Sequence, residues 1–155
     1  MVDLETVEIS ITVNGTDRSL SVEPSDLLID VLRNQLSLKG TKRSCDVEVC
    51  GACTVLVDRL PVSSCTTLAV DVDGRSLTTI EGVEHAGELS RVQQAFVDHA
   101  ALQCGFCTPG MVLAMTALLE INPKPSDEEI RHFLRGNICR CTGYIKILEA
   151  VKSLV

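Results

Sequence analysis

Cys45, Cys50 and Cys53 follow the spacing C-x4-C-x2-C, and Cys65 comes after eleven intervening residues. This is the plant-type spacing for a [2Fe–2S] cluster. One loop wraps a flat cluster and presents three thiolates, while the fourth arrives from elsewhere in the fold. Gly51 and Ala52 between the ligands leave room for backbone N–H groups to approach sulfur. Such hydrogen bonds matter because an oxidised four-thiolate cluster is a dianion and reduction adds a further charge. Zinc knuckles favour C-x2-C pairs instead, so iron–sulfur is the reading of this set. Lys42 and Arg43 precede the loop, either to tune the cluster or as a solvated basic face.

A second set is more ambiguous. Cys104 and Cys107 are spaced C-x2-C, and Cys139 and Cys141 are spaced C-x-C after a gap of 31 residues. Zinc and iron–sulfur both accept this pattern. Each pair is expected at a helix N-terminus, Cys107 before a Thr108-Pro109 cap and Cys141 before a Thr142 cap. Free N–H groups and the helix dipole favour bound negative charge there. A zinc tetrathiolate gains from that placement as much as a cluster does, so spacing leaves both open.

The elements that must hold these cysteines fall into two halves. Val7, Ile9, Ile11 and Val13 alternate as a half-buried strand, Asn14-Gly15 marks a tight turn, and Ser19–Glu23 returns. Pro24-Ser25-Asp26 opens a helix that carries Leu27, Leu28, Val31 and Leu32 on one face and ends near Leu38–Gly40. After the cysteine loop come short β-type runs at Thr54–Val57, Val62–Ser64 and Leu77–Ile80, with turns at Asp58-Arg59 and Asp73-Gly74. Beyond Gly87 the pattern becomes helical. Capping boxes stand at Ser90/Gln93 and Ser126/Glu129, Thr108-Pro109 leads Met111–Ile121, and Thr142 leads a last helix through Tyr144, Ile145, Leu148 and Val151. The expectation is an α+β chain with a boundary near residues 81–89, divided as 1–82 and 83–155.

Composition narrows the function. The net charge of −7 and the lack of a basic patch exclude a nucleic-acid partner and fit a protein that docks on basic surfaces. Aromatic residues make up 3% with no Trp, which leaves metal clusters a share of the stabilisation. The N-terminus lacks signal-peptide layout and Met111–Leu119 is too short to span a membrane, so a cytoplasmic chain is expected. That compartment keeps thiols reduced, which favours metal ligation over disulfides. There is no dinucleotide fingerprint and no catalytic triad, and His85, His99 and His132 are scattered, so no residue of this chain is expected to transform substrate.

Three runs then carry a resemblance. Gly51-Ala52-Cys53-Thr54-Val55, the stretch Gln103–Met111 (QCGFCTPGM) and the stretch Gly136–Tyr144 (GNICRCTGY) closely resemble the small iron–sulfur subunit of the molybdenum hydroxylases. This is the xanthine dehydrogenase, aldehyde oxidoreductase and aerobic CO dehydrogenase family, and the likeness covers essentially the whole chain. It implies an N-terminal β-grasp domain like plant ferredoxin, followed by an all-α four-helix bundle with its own [2Fe–2S] cluster. On that basis Cys104, Cys107, Cys139 and Cys141 hold a cluster rather than zinc.

The resemblance further implies a large partner subunit with a molybdopterin dinucleotide cofactor and a medium subunit with FAD, assembled as a dimer of heterotrimers. The helical-domain cluster would lie nearer the molybdenum and the ferredoxin-like cluster nearer the FAD. Gln103 and Cys141 would approach the pterin. Arg140, between two ligands, would either raise the nearer cluster's potential or serve as a surface contact. Ser44 and Glu48 stand where the family commonly has glycine, so the first loop is expected to differ locally. The rival functions are a free-standing two-cluster ferredoxin and a zinc-bound adaptor.

Overall fold

The computed structural model describes residues 5–155. Its first half is a five-stranded mixed sheet ordered β2-β1-β5-β3-β4. Strands β1 (Val7–Val13) and β2 (Thr16–Val22) form an antiparallel hairpin in which Val7 faces Val22 and Val13 faces Thr16. Its turn uses Asn14 at φ 51° and Gly15 at φ 77°, the pair of left-handed conformations that suits the twist of two short-looped strands. Strand β5 (Ser76–Thr78) lies parallel to β1 and antiparallel to β3 (Thr54–Val57), and β4 (Leu60–Ser63) closes the edge. The last two expected runs are shifted: β4 begins at Leu60 and β5 ends at Thr78.

The helix over this sheet starts later than its sequence pattern suggests. Leu27 is held extended in a bridge to Leu68, so α1 runs over Leu28–Asp30 and widens into π turns at Val31–Gln35. Leu28, Val31 and Leu32 still pack on Ile9, Ile11 and Val55, which is the core of a β-grasp.

Four helices follow: α2 (Arg91–Asp98), α3 (Thr108–Ile121), α4 (Asp127–Phe133) and α5 (Ile145–Lys152). Both expected capping boxes are present in full, Ser90 with Gln93 and Ser126 with Glu129. Helix α3 is buried on nearly every side, from Gly110 through Leu118, because it is wedged between the other helices and the sheet. Strand β3 serves both halves. Its Val55 joins the sheet core, and its Leu56, on the opposite face, joins the helical core. Among the described residues no helix is long and apolar enough to cross a membrane.

Candidate metal centres

The first cysteine set lies on the irregular stretch 40–53 and at the end of β4. Two thiols are inside and two outside. Cys53 and Cys65 are buried against Leu27 and Ile29, which brackets them with the helix that the sheet grips. Cys45 and Cys50 are partly exposed. Cys53 and Cys65 pack together, and Cys50 neighbours Cys45.

The loop turns on left-handed residues: Asp46 at φ 55°, Glu48 at φ 58° and Gly51 at φ 66°. Glu48 takes the conformation glycine would supply, and its carboxylate receives the Thr66 hydroxyl at 3.3 Å, so the change of residue leaves the turn in place. Ser44 is not in the left-handed region. These turns aim backbone N–H groups of Val47, Cys50 and Val49 at Cys45, drawing its thiol down to about 6. Burial pushes Cys53 up to about 11. Arg43 is engaged by Asp30 at 2.5 Å and by Asp46 at 3.1 Å, and Lys42 donates to the Lys39 carbonyl, so neither basic side chain is directed at the thiols.

The second set repeats the inner and outer arrangement with different scaffolding. Cys107 and Cys139 contact each other inside, and Cys104 and Cys141 lie exposed with their Sγ atoms 3.6 Å apart. Cys107 is itself the N-cap of α3, with Thr108 and Pro109 inside the helix, so the expected Thr108 cap sits one residue too late. Burial pushes the Cys107 thiol up to about 12.

The expected Thr142 cap is also corrected. Helix α5 begins at Ile145 after Tyr144, which is left-handed at φ 68°, so Cys141 precedes a turn rather than a helix end. Freed from capping, the Thr142 hydroxyl donates to Cys139 Sγ at 3.1 Å and its amide follows at 3.4 Å. Burial raises the Cys139 thiol, and these donors outweigh it and hold the group below its ordinary value. The Tyr144 hydroxyl accepts from the Cys139 amide at 2.9 Å and donates to the Asn137 carbonyl, bracing the turn. Neither residue's contact was visible from spacing, although both stand inside the GNICRCTGY run.

Two facing pairs of thiols match the donor set of a flat binuclear cluster, in which each iron takes two thiolates. Cys53 and Cys107, whose thiols burial pushes up, would lose their protons on metal binding. Gln103 is exposed beside Cys104, as is Arg140 beside Cys141. His85 and His132 are exposed and His99 is half-buried.

A β-grasp half and a helical half, each gathering four thiols, define a two-centre iron–sulfur protein built for electron transfer. Comparisons with known proteins narrow the class. Residues 11–80 match the 2Fe-2S iron-sulfur cluster binding domain, and residues 79–152 match a further [2Fe-2S] binding domain. The chain is 52% identical over 145 residues to the nicotine 6-hydroxylase small subunit of Paenarthrobacter nicotinovorans, covering 94% of this chain and 87% of that one. It is 46% identical over 149 residues to the nicotinate dehydrogenase small FeS subunit of Eubacterium barkeri, covering 96% and 95%. Quinoline 2-oxidoreductase from Pseudomonas putida 86 superposes with a TM-score of 0.92 at 46% identity, over 95% of this chain and 91% of that chain. The chain belongs to the small iron–sulfur subunits of the molybdenum hydroxylase family. In the aldehyde oxidoreductase from Desulfovibrio gigas the same fold, with a TM-score of 0.90, occupies 16% of a longer chain.

Proposed function

We propose that Cys45, Cys50, Cys53 and Cys65 ligate one [2Fe–2S] cluster and Cys104, Cys107, Cys139 and Cys141 the other. On this reading the second cluster receives electrons from a molybdopterin cofactor in a large subunit, and the first passes them to FAD in a medium subunit. The observation that carries it is the gathering of four cysteines at each site, Cys53 and Cys65 packed together at the first and Cys104 and Cys141 with their Sγ atoms 3.6 Å apart at the second. Clusters of this kind each take up and release one electron, so two in series relay a two-electron oxidation in single steps.

The chain's own residues set the terms of that relay. The Val47, Val49 and Cys50 amides stabilise charge at the first site, and the Thr142 hydroxyl and amide do so at the second. Gln103, Cys104 and Cys141 are exposed together, which supports contact between Gln103, Cys141 and the pterin across a subunit interface. The functional division falls at 82/83, and the assembly is a cytoplasmic dimer of heterotrimers.

The names of the similar proteins favour a nitrogen heteroaromatic as the substrate of the large subunit: nicotine, nicotinate, xanthine, caffeine and quinoline recur among them. Purification of the native complex tests the assignment. About four irons and four labile sulfides per small chain are expected, with two distinct paramagnetic signals on reduction. Cys53→Ser and Cys107→Ser are each expected to abolish one signal and keep the other. A chain that purifies alone with both signals would instead be a free carrier, and one with zinc in place of iron would overturn the reading.

A further inference from the structure

The two cysteine sites meet at one junction. The Ile138 amide donates to the Cys50 carbonyl at 2.9 Å. Cys50 belongs to the first set, and Ile138 adjoins Cys139 of the second. From one thiol to the other the route is therefore covalent backbone and side chain, interrupted by a single hydrogen bond. Asn137 sits beside it, buried at 5% exposure. Its Nδ2 donates to the Gly51 carbonyl at 3.0 Å and approaches Thr54 Oγ1 at 3.4 Å, while the Thr54 hydroxyl donates to the same Gly51 carbonyl at 2.8 Å.

The packing is close enough that the residues have no slack. A Cβ on Gly51 would come within 2.1 Å of the Gly136 carbonyl, and one on Gly110 within 2.1 Å of the Gly51 carbonyl. The Gly51 carbonyl keeps the Thr54 hydroxyl and amide as donors within its own half, so what the buried Asn137 amide adds is a tie across the two halves, and an amide buried there must itself find such a partner.

We infer that Asn137 is a positioning residue for electron transfer between the two sites, anchoring the Gly51 carbonyl and with it the Cys50–Gly51 segment against Ile138, so that the Cys50 carbonyl and Ile138 amide stay hydrogen-bonded. The inference rests on the ligand assignment proposed above. One electron moves per event: the second cluster is oxidised by one, the first is reduced by one, and no bond to this chain forms or breaks. The oxidation of substrate in the partner supplies the electron.

The test uses the assembled complex carrying Asn137→Asp, which keeps the shape and replaces the donor with an acceptor facing Gly51. A second variant, Thr54→Val, removes the companion donor in a nearly unchanged volume. Paramagnetic resonance of the reduced complex reports both cluster signals and their spin–spin coupling. Rapid reduction followed optically reports the rate at which the electron equilibrates between the two. Both signals are expected to persist while the coupling changes and the equilibration slows severalfold, more in Asn137→Asp than in Thr54→Val. A merely structural role would lower stability and leave that rate untouched in the complexes that assemble. Intact signals with unchanged coupling and rate in either variant overturn the inference, and Thr54→Val decides alone if Asn137→Asp fails to assemble. Absence of the two signals from the unaltered complex defeats the ligand assignment, a result distinguishable from either.

Discussion

Three thiols of the first site stand on one loop with little regular structure, whereas the second site borrows its thiols from two segments that a helical core brings together. At the first, the backbone does the electrostatic work: left-handed turns at Asp46, Glu48 and Gly51 bend the chain until successive amides point inward. At the second, helix α3 and the braced turn before α5 fix the positions, and a side chain, Thr142, supplies a donor. Both arrive at an inner and an outer pair of thiols. The difference teaches that a local ligand motif needs a loop shaped by its own conformations, while a dispersed one depends on tertiary packing to exist at all.

Glycine substitutions separate the loops from the junction between them and carry the largest expected effect. Gly51 and Gly105 both adopt positive φ, at 66° and 79°, each between two cysteines of a set. An added methyl at Gly105 meets nothing within 4 Å, but at Gly51 it meets the Gly136 carbonyl at 2.1 Å. Gly105→Ala should therefore cost only the backbone penalty of about 1 kcal/mol. Gly51→Ala adds a clash against main chain, for a total of roughly 3 kcal/mol. Anaerobic denaturant unfolding of the cluster-loaded complexes measures both. Equal losses would mean that the halves are not pinned at Gly51.

Much of this could be read from residue types, and what could not shares a physical cause. Strand β1, the β-type run of β3 and the boxes at Ser90 and Ser126 were legible because alternation, β-branched composition and capping are local signals. The first cysteine set was legible for the same reason: its three loop thiols lie within nine residues of one another, Cys45 to Cys53. Thr142 also looked like a cap, but Tyr144 in the left-handed region delays α5 and turns the hydroxyl onto sulfur instead. Asn137 gave no sign, since its partner Gly51 lies 86 positions away. The pairing of thiols across the 31-residue gap was hidden in the same way, because it depends on where α3 and α5 dock.

Thr142 sharpens the contrast between backbone and side-chain control. Among the described residues the first site's thiols receive no side-chain hydroxyl, so no counterpart substitution exists there. Thr142→Val removes a donor to Cys139, which disfavours the more negative, reduced cluster and lowers its potential. A hydrogen bond of about 1 kcal/mol corresponds to roughly 40 mV for a one-electron couple. Redox titration monitored by paramagnetic resonance should show the second signal shifted down and the first unmoved. A shift of both would mean that the two sites are not tuned separately.

Acid separates the two halves by the smallest margin, because the carboxylates concerned are solvent-exposed. In the helical half, the Ser126 amide and hydroxyl hold the Glu129 carboxylate below the usual carboxylate range, from 2.7 and 2.8 Å. In the sheet, the Arg75 guanidinium and the Ser76 amide do the same for Asp58. A depressed folded-state value contributes stability that is fully present above the unfolded-state value, about 4.3 for Glu and 3.9 for Asp, and is lost as pH falls through the folded one. Both halves should therefore weaken on acidification below about pH 4. Glu129→Gln converts the α4 box into the non-titrating kind that Ser90 and Gln93 already form at α2, and should flatten the pH dependence of helical unfolding alone. Asp58→Asn should flatten only that of the sheet. Hydrogen exchange followed from pH 6 to pH 3, peptide by peptide, distinguishes the two. If either substitution flattened both, the halves would be unfolding as one cooperative unit through the Gly51 junction.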